Sequence, residues 1–320
     1  MKIAFFGTPS FALPSLEALV NSHHKVVAVV TQPDKPVGRS DKLVHSPVKK
    51  LALEHKIPVL QPKRISKELD LLDKYKPDII VTCAFGQMLR QNVLDYCTFG
   101  VINVHASLLP KYRGASPIQS AIINGETKTG VTIMQTDIGM DTGDIILVKE
   151  TNIGPDETAG ELFERLSVIG AQVLLDALTQ IEQGAATHIP QDNTLATHFP
   201  MLEKQNGKID FTKTALAIIN QIRGMNPWPI AYFTYKGENI RVYKAIEITS
   251  DGDVDLSSKQ SIIDEYPPGH IICADKSGFH IACGQKTVLS IQALQASGGK
   301  VLCFHDFLNG KKLKQGDELQ

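Results

Sequence analysis

Asn103 and His105 stand two residues apart in a run, 100–106, that is otherwise mostly apolar. In a strand, residues two apart point to the same side, so an amide donor and a titratable imidazole share one face. A lone His in such a run is ordinarily a satisfied structural residue. The pairing with Asn103, and the Leu108-Leu109-Pro110 turn that follows, point toward chemistry instead. A second polar patch, Asp137-Ile138-Gly139-Met140-Asp141-Thr142-Gly143-Asp144, holds three acids and two glycines between two strand-like runs. Its plain reading is a solvated turn or a Ca²⁺ loop, but the later Glu of an EF-hand is missing. Its functional reading is a carboxylate delivered near His105. An Asn, a His and an Asp that converge could catalyse acyl transfer to an amine. The amide and a protonated imidazole would donate to the developing oxyanion. The carboxylate would hold the imidazole and help move protons. No Ser or Cys nucleophile is needed when the amine attacks the donor directly. Whether the three converge is left open by the residues alone.

Other chemistries are disfavoured. The turn after the first strand is Gly7-Thr8-Pro9-Ser10, not G-x-G-x-x-G, and no acid closes the second strand, which argues against a nicotinamide dehydrogenase. P-loop, G-x-S-x-G and H-E-x-x-H patterns are also missing. The five cysteines, Cys83, Cys97, Cys273, Cys283 and Cys303, are odd in number and scattered, with no C-x-x-C spacing. They read as small buried hydrophobes in a reducing compartment, not as a disulfide framework or a zinc site. No metal and a cytoplasmic location are therefore expected. No apolar run approaches the ~18 residues of a membrane span, and the apolar start is too short for a signal peptide.

The elements that would position these residues alternate. Strands are predicted at 2–6, 25–31, 57–60, 78–83 and 100–106, with helices after most of them, including one at 66–74 and one opened by Ser46-Pro47. Strands at 130–136 and 144–153 and a long helix over 157–182 complete a half ending near Gly184. This pattern means βαβ units and a doubly wound, mainly parallel α/β sheet. Its strand ends place Asn103 and His105 at the ligand crevice. Residues 185–207 lack periodicity and are rich in Gly, Pro, Asn, Thr and Gln, as a linker would be. Beyond it a helix at 212–223 and five short strands suggest a small antiparallel barrel. The 320 residues thus divide as 1–184, a 185–207 linker and 208–320.

Hydrophobic residues make up 42% and charged ones 21%, and 33 basic against 34 acidic side chains give a net charge of −1, so a wholly basic nucleic-acid-coating protein is excluded. The charge is unevenly spread. Residues 34–50 carry +3 (Lys35, Arg39, Lys42, Lys49 and Lys50 against Asp34 and Asp41). Residues 298–314 carry +3, whereas 150–192 carry −7. Each basic segment alone reads as a solvated face. Two of them, with a barrel of a class that binds oligonucleotides, suit an RNA partner.

The run Asn103-Val104-His105-Ala106-Ser107-Leu108-Leu109-Pro110-Lys111-Tyr112-Arg113-Gly114, then Pro117-Ile118, resembles the signature of the folate-dependent formyltransferases. So does Asp141, thirty-six residues after His105, within Gly139-Met140-Asp141-Thr142-Gly143-Asp144. Gly7-Thr8-Pro9, the 32–47 segment and Asn226-Pro227-Trp228-Pro229 extend the likeness over nearly the whole chain, and they are similar to the branch that acts on methionyl-tRNA. The resemblance implies a Rossmann-like catalytic domain, an OB-like β-barrel, 10-formyltetrahydrofolate as donor and initiator methionyl-tRNA as acceptor, in a protein expected to be a monomer. It implies Asn103, His105 and Asp141 as the catalytic trio and Ser107, Leu108, Leu109 and Pro110 as the folate-binding turn. Arg39 matches an arginine facing the tRNA acceptor end, with Lys35 and Lys42 beside it. Ser40-Asp41 stands where a more basic pair is expected. The rival within the same superfamily acts on an amino-sugar nucleotide.

Overall fold

In a computed structural model of the 320-residue chain, residues 1–36, 43–248, 265–311 and 313–320 are described. They separate into two compact units. The first comprises residues 1–117, 128–152 and 162–200, and the second comprises 118–127, 153–161 and 201–320.

The first unit is built on a seven-stranded sheet. Its strands are β1 (Lys2–Gly7), β2 (Lys25–Val30), β3 (Val59–Leu60), β4 (Ile79–Cys83), β5 (Val101–His105), β6 (Lys128–Gln135) and β7 (Ile145–Asn152). The spatial order is β7-β6-β5-β4-β1-β2-β3. β1 to β5 run parallel, and β6 pairs antiparallel to both β5 and β7. β1 and β4 are buried along almost their whole length. A strand covered on both faces has no solvent side to mark with polar residues, hence the continuous runs KIAFF and IIVTC. Helices α1 (Leu13–Val20) and α2 (Pro47–Glu54) supply part of the cover. Ser46 caps α2 through its hydroxyl, which accepts from Lys49 N, and Pro47 occupies the first turn.

Two expectations differ here. Residues 66–74 form no α-helix; two 3₁₀ turns, Ile65–Lys67 and Leu69–Leu72, stand in its place. The Glu68 carboxylate accepts from the Arg64 N–H at 3.1 Å. Ser66 O, which a helix would pair with Asp70 N, instead accepts from Asn92 Nδ2 at 2.8 Å, and Glu68 sits at φ −127° between the turns. Residues 185–200, expected within the linker, belong to the first unit. Ile189 bridges Ile145, and the two-residue strand His198–Phe199 pairs with Arg113–Gly114. These are a single bridge and a two-residue pairing, too short for hydrophobic periodicity to register.

The second unit holds an OB-like antiparallel sheet of β8 (Ala231–Tyr235), β9 (Glu238–Glu247), β10 (Ile271–Asp275), β11 (Gly278–Ala282) and β12 (Val288–Gln295), in the order β8-β9-β12-β11-β10. Its core gathers Phe211, Ile218, Phe233, Ile240, Phe279, Ile281, Leu289 and Ile291. Helix Ala215–Gly224, capped by Thr214, ends where a Cβ on Gly224 would lie 2.5 Å from Ile123 Cγ1, so this contact requires glycine. Among the described residues no helix is long and apolar enough to cross a membrane.

Cys83, Cys97 and Cys283 are buried, as expected, but Cys273 is half-buried and Cys303 is exposed. Burial pushes the Cys83, Cys97 and Cys283 thiols up to about 12. Because the thiolate is the reactive form, a disulfide reagent at pH 8 should label Cys303 fast, Cys273 slowly, and the other three only after unfolding. Rapid labelling of all five in the native protein would contradict this core.

Candidate active site

β5 delivers Asn103 and His105 from the middle of the sheet, between β4 and β6. Asn103 sits opposite Thr82 in register, and the Thr82 hydroxyl donates to Asn103 Oδ1 at 2.8 Å. This turns the amide NH₂ end away from Thr82. His105 is only 6% exposed. Its Nε2 lies 3.0 Å from the Tyr112 carbonyl oxygen. A carbonyl can only accept, so Nε2 carries the proton in this contact. The other ring nitrogen, Nδ1, faces Asp141 Oδ2 at 3.7 Å. The Asn, His and Asp singled out in the sequence are thus arranged on one strand end and one adjoining loop.

The loop that carries Asp141 is held from several sides. Asp141 adopts a left-handed backbone, φ 55°, and its Oδ2 also accepts from Gly114 N–H at 2.8 Å. Gln191 Nε2 donates to the carbonyls of Asp141 (2.9 Å) and Gly143 (2.7 Å). Gln191 Oε1 in turn accepts from Arg113 Nε at 3.1 Å and Nη2 at 2.7 Å. Arg113 is 2% exposed, and Asn193 Oδ1 takes a further bond from its Nη2. A buried guanidinium needs such partners to offset its lost hydration. Tyr112 N–H donates to Thr197 Oγ1, and the Tyr112 ring stacks on Phe199 at 5.0 Å. Thr82, Arg113, Gly114, Gln191, Asn193, Thr197 and Phe199 were not picked out as site residues by sequence. Thr82 carried a signal, a hydroxyl inside an apolar strand, whereas Gln191 and Thr197 lie in a stretch with no pattern.

The turn 107–110 is fixed from within. Ser107 is fully buried and its hydroxyl donates to Lys111 O at 2.7 Å. Thr132 Oγ1 donates to Ser107 O at 2.7 Å and accepts from Leu109 N at 3.3 Å. The Ser107 hydroxyl therefore shapes the turn, and the half-buried Leu108 and Pro110 are the side chains that remain in reach of a ligand, Leu109 being buried.

Of the three basic residues proposed for the loop after β2, Arg39 and Lys42 lie outside the described residues. Lys35 is exposed, in a short strand, Lys35–Pro36, paired with Leu43–Val44. Beside it, Asp34 binds Lys49 Nζ at 2.6 Å and His45 Nδ1 at 2.9 Å. The Lys49 ammonium, with help from Gln61 and His45, holds the Asp34 carboxyl down to about 2. That anchor is complete above the ordinary carboxylate range near 4 and is lost as pH falls toward 2. Among the described residues, one group of side chains could hold a metal ion: His23, His24 and Glu182, with ligand atoms within 4.8 Å of one another. It includes none of Asn103, His105 and Asp141.

Gly114 has φ +106°, and a Cβ there would run into the Phe199 carbonyl. Gly114→Ala should lower stability by about 1–3 kcal/mol and loosen the Asp141 loop. A denaturation midpoint equal to that of the parent would show that the loop can yield.

Residues 1–178 match the Formyl transferase family, and residues 201–312 match the Formyl transferase, C-terminal domain family. A methionyl-tRNA formyltransferase of Alkaliphilus oremlandii is 46% identical over 321 residues, covering 100% of this chain and 99% of that protein. One from Acetivibrio thermocellus is 43% identical over 325 residues, with 100% and 99% covered. Among solved structures, an N-formyltransferase of Helicobacter canadensis in complex with folinic acid and dTDP-3-aminofucose superposes with a TM-score of 0.66. It shares 22% identity and covers 92% of this chain and 99% of its own, a likeness of fold. With both formyl transferase regions in order and relatives above 40% identical along their full length, the chain belongs to the formyltransferase family, in the branch whose members are named methionyl-tRNA formyltransferase.

Proposed function

We propose that the protein transfers the formyl group of 10-formyltetrahydrofolate to the amino group of methionine on initiator tRNA, for translation initiation. The observation that carries this reading is His105, held by the Tyr112 carbonyl with Nδ1 toward Asp141, on the strand that also bears Asn103. The folate donor supplies the formyl group and leaves as tetrahydrofolate. The methionine amine attacks the formyl carbon directly; a new C–N bond forms and the bond to N10 breaks. Asn103 donates its NH₂ to the oxygen on which charge develops. The amine loses one proton and N10 gains one. His105 Nδ1, backed by the Asp141 carboxylate, is the pair on this chain suited to carry it. We assign donor binding to the turn Ser107, Leu108, Leu109 and Pro110, whose internal bonds keep its shape fixed before a ligand arrives. Lys35, Arg39 and Lys42 are assigned to the tRNA acceptor arm. The 32–46 segment is longer than the 2–6 residues usual between strand and helix, as functional loops often are.

Incubation with 10-formyltetrahydrofolate and charged initiator tRNA should yield formylmethionyl-tRNA, with a dTDP-amino-sugar as the competing acceptor. Formylation of the sugar nucleotide alone would overturn the tRNA reading. Asn103→Ala should lower turnover by about 10²–10³, or roughly 2.7–4 kcal/mol, and change donor binding much less. A loss under threefold would remove the oxyanion role.

Arg39→Ala should raise the apparent KM for tRNA or lower turnover with it, while folate affinity stays constant. Arg39→Lys should rescue only in part, because Lys lacks the planar fork of guanidinium. The slope of log affinity against log salt should flatten by about one unit or less for one lost phosphate contact. Unaltered kinetics at two salt concentrations would show the loop to be a passive insertion.

A further inference from the structure

The second unit carries a cavity of about 430 Å³ on its sheet, within the range of small-ligand sites. Its walls come from three strands in register. Tyr232 of β8 lies opposite Arg241 of β9, and Arg241 opposite Gln295 of β12. Along β8 and β9 the neighbours Ala231, Phe233, Ile240 and Val242 point into the core and are buried. Alternation therefore turns Tyr232 and Arg241 outward. The register shift after Val242 brings Tyr243 to the same cavity. Trp228 also lines the cavity and is 50% exposed, a large aromatic face left open to a partner. Lys204 lines it as well.

Three aromatic rings and two cations line the cavity, and none of its thirteen lining residues is acidic. This composition suits a flat, π-faced ligand attached to phosphate. Gln295 is preset: its Oε1 accepts from the Tyr243 hydroxyl at 2.9 Å, and its Nε2 donates to Gly299 O at 2.8 Å. A preset side chain loses little freedom when a ligand arrives. We propose that this face is a stacking site for one unpaired nucleotide of an RNA substrate, with Trp228, Tyr232 and Tyr243 against the base and Lys204 and Arg241 on its phosphates. The site rests on the tRNA reading above and adds to it a place where an unstacked base is held, outside the Asn103, His105 and Asp141 cluster. A free nucleotide has the same chemistry as a nucleotide within a chain, but it brings only one phosphate group to the two cations.

Trp228 is the single tryptophan of the chain, so its fluorescence reports this cavity alone. The full-length protein would be titrated with a single-stranded RNA tetranucleotide, a blunt RNA duplex, and free AMP and UMP. The tetranucleotide should quench Trp228 saturably, the duplex should not, and the mononucleotides should bind more weakly. Tyr232→Ala should weaken tetranucleotide binding by about 5- to 150-fold, and Tyr232→Phe should retain it. Arg241→Ala should flatten the salt slope by about 0.7 unit, as for one single-strand phosphate contact. Circular dichroism melts would separate unfolding from lost stacking. No quenching by the tetranucleotide, or equal quenching in folded Tyr232→Ala, would overturn the site. So would tighter binding of mononucleotide than tetranucleotide, which would make it a free-nucleotide pocket. Formylation of charged tRNA by the parent is measured separately. A protein that formylates tRNA without quenching loses only this inference. One that quenches without formylating tRNA keeps the site and loses the tRNA reading.

Discussion

One carboxylate oxygen ties the candidate site together. Asp141 Oδ2 accepts from the Gly114 N–H and faces His105 Nδ1. A hydrogen bond to a charged group contributes roughly 1.5–3 kcal/mol, enough to fix one loop against another. The bond closes a circuit: Gly114 follows Arg113, Arg113 is bound by Gln191, and Gln191 holds the carbonyls of Asp141 and Gly143. Each member keeps the next in place, so the carboxylate reaches the imidazole at a set distance. A left-handed residue at 141 and a glycine at 114 are what such a tight return demands. The Tyr112 carbonyl, from the same turn, fixes the other ring nitrogen of His105. The imidazole is therefore oriented by backbone and loop geometry on both sides, with little left to side-chain freedom.

Much of this was legible in the residues. β1, β2, β4 and β5 announced themselves because buried parallel strands are written as unbroken apolar runs, and polar residues inside such runs stand out. Asn103 and His105 were visible for that reason. Asp141 was visible as an acid among glycines, although its approach to His105 depends on a fold that no local pattern encodes. Gln191, Asn193 and Thr197 were not legible. Their role is to satisfy buried donors and backbone groups, and a polar residue that does so looks the same in sequence as one in solvent. The 66–74 stretch reads as a helix because Leu69 and Leu72 share a helical face, while Ser66 O is captured by Asn92 from outside the stretch. The basic patch at 298–314 was partly misleading too. Lys311 is paired with Glu238, so the cations of that segment are not all available to a partner.

Chain order and compactness disagree in one place. Residues 118–127 and 153–161 belong to the unit completed by residues 201–320. Ile118, Ile122 and Ile153 are buried there. Within that unit Arg223 donates to the carbonyls of Gly154 and Glu157, and Gly224 meets Ile123. Synthesis releases these early pieces roughly 60 to 100 residues before Arg223 and Gly224 exist. At about 5–20 residues per second on the ribosome, Ile123 and the carbonyls of Gly154 and Glu157 wait on the order of 3–20 s for these partners. The nascent chain therefore passes through an interval, set by the order of its own gene, in which these groups lack their final partners. In that interval a holdase chaperone, or a slow codon in the wrong place, would weigh more on yield than the stability of the finished fold.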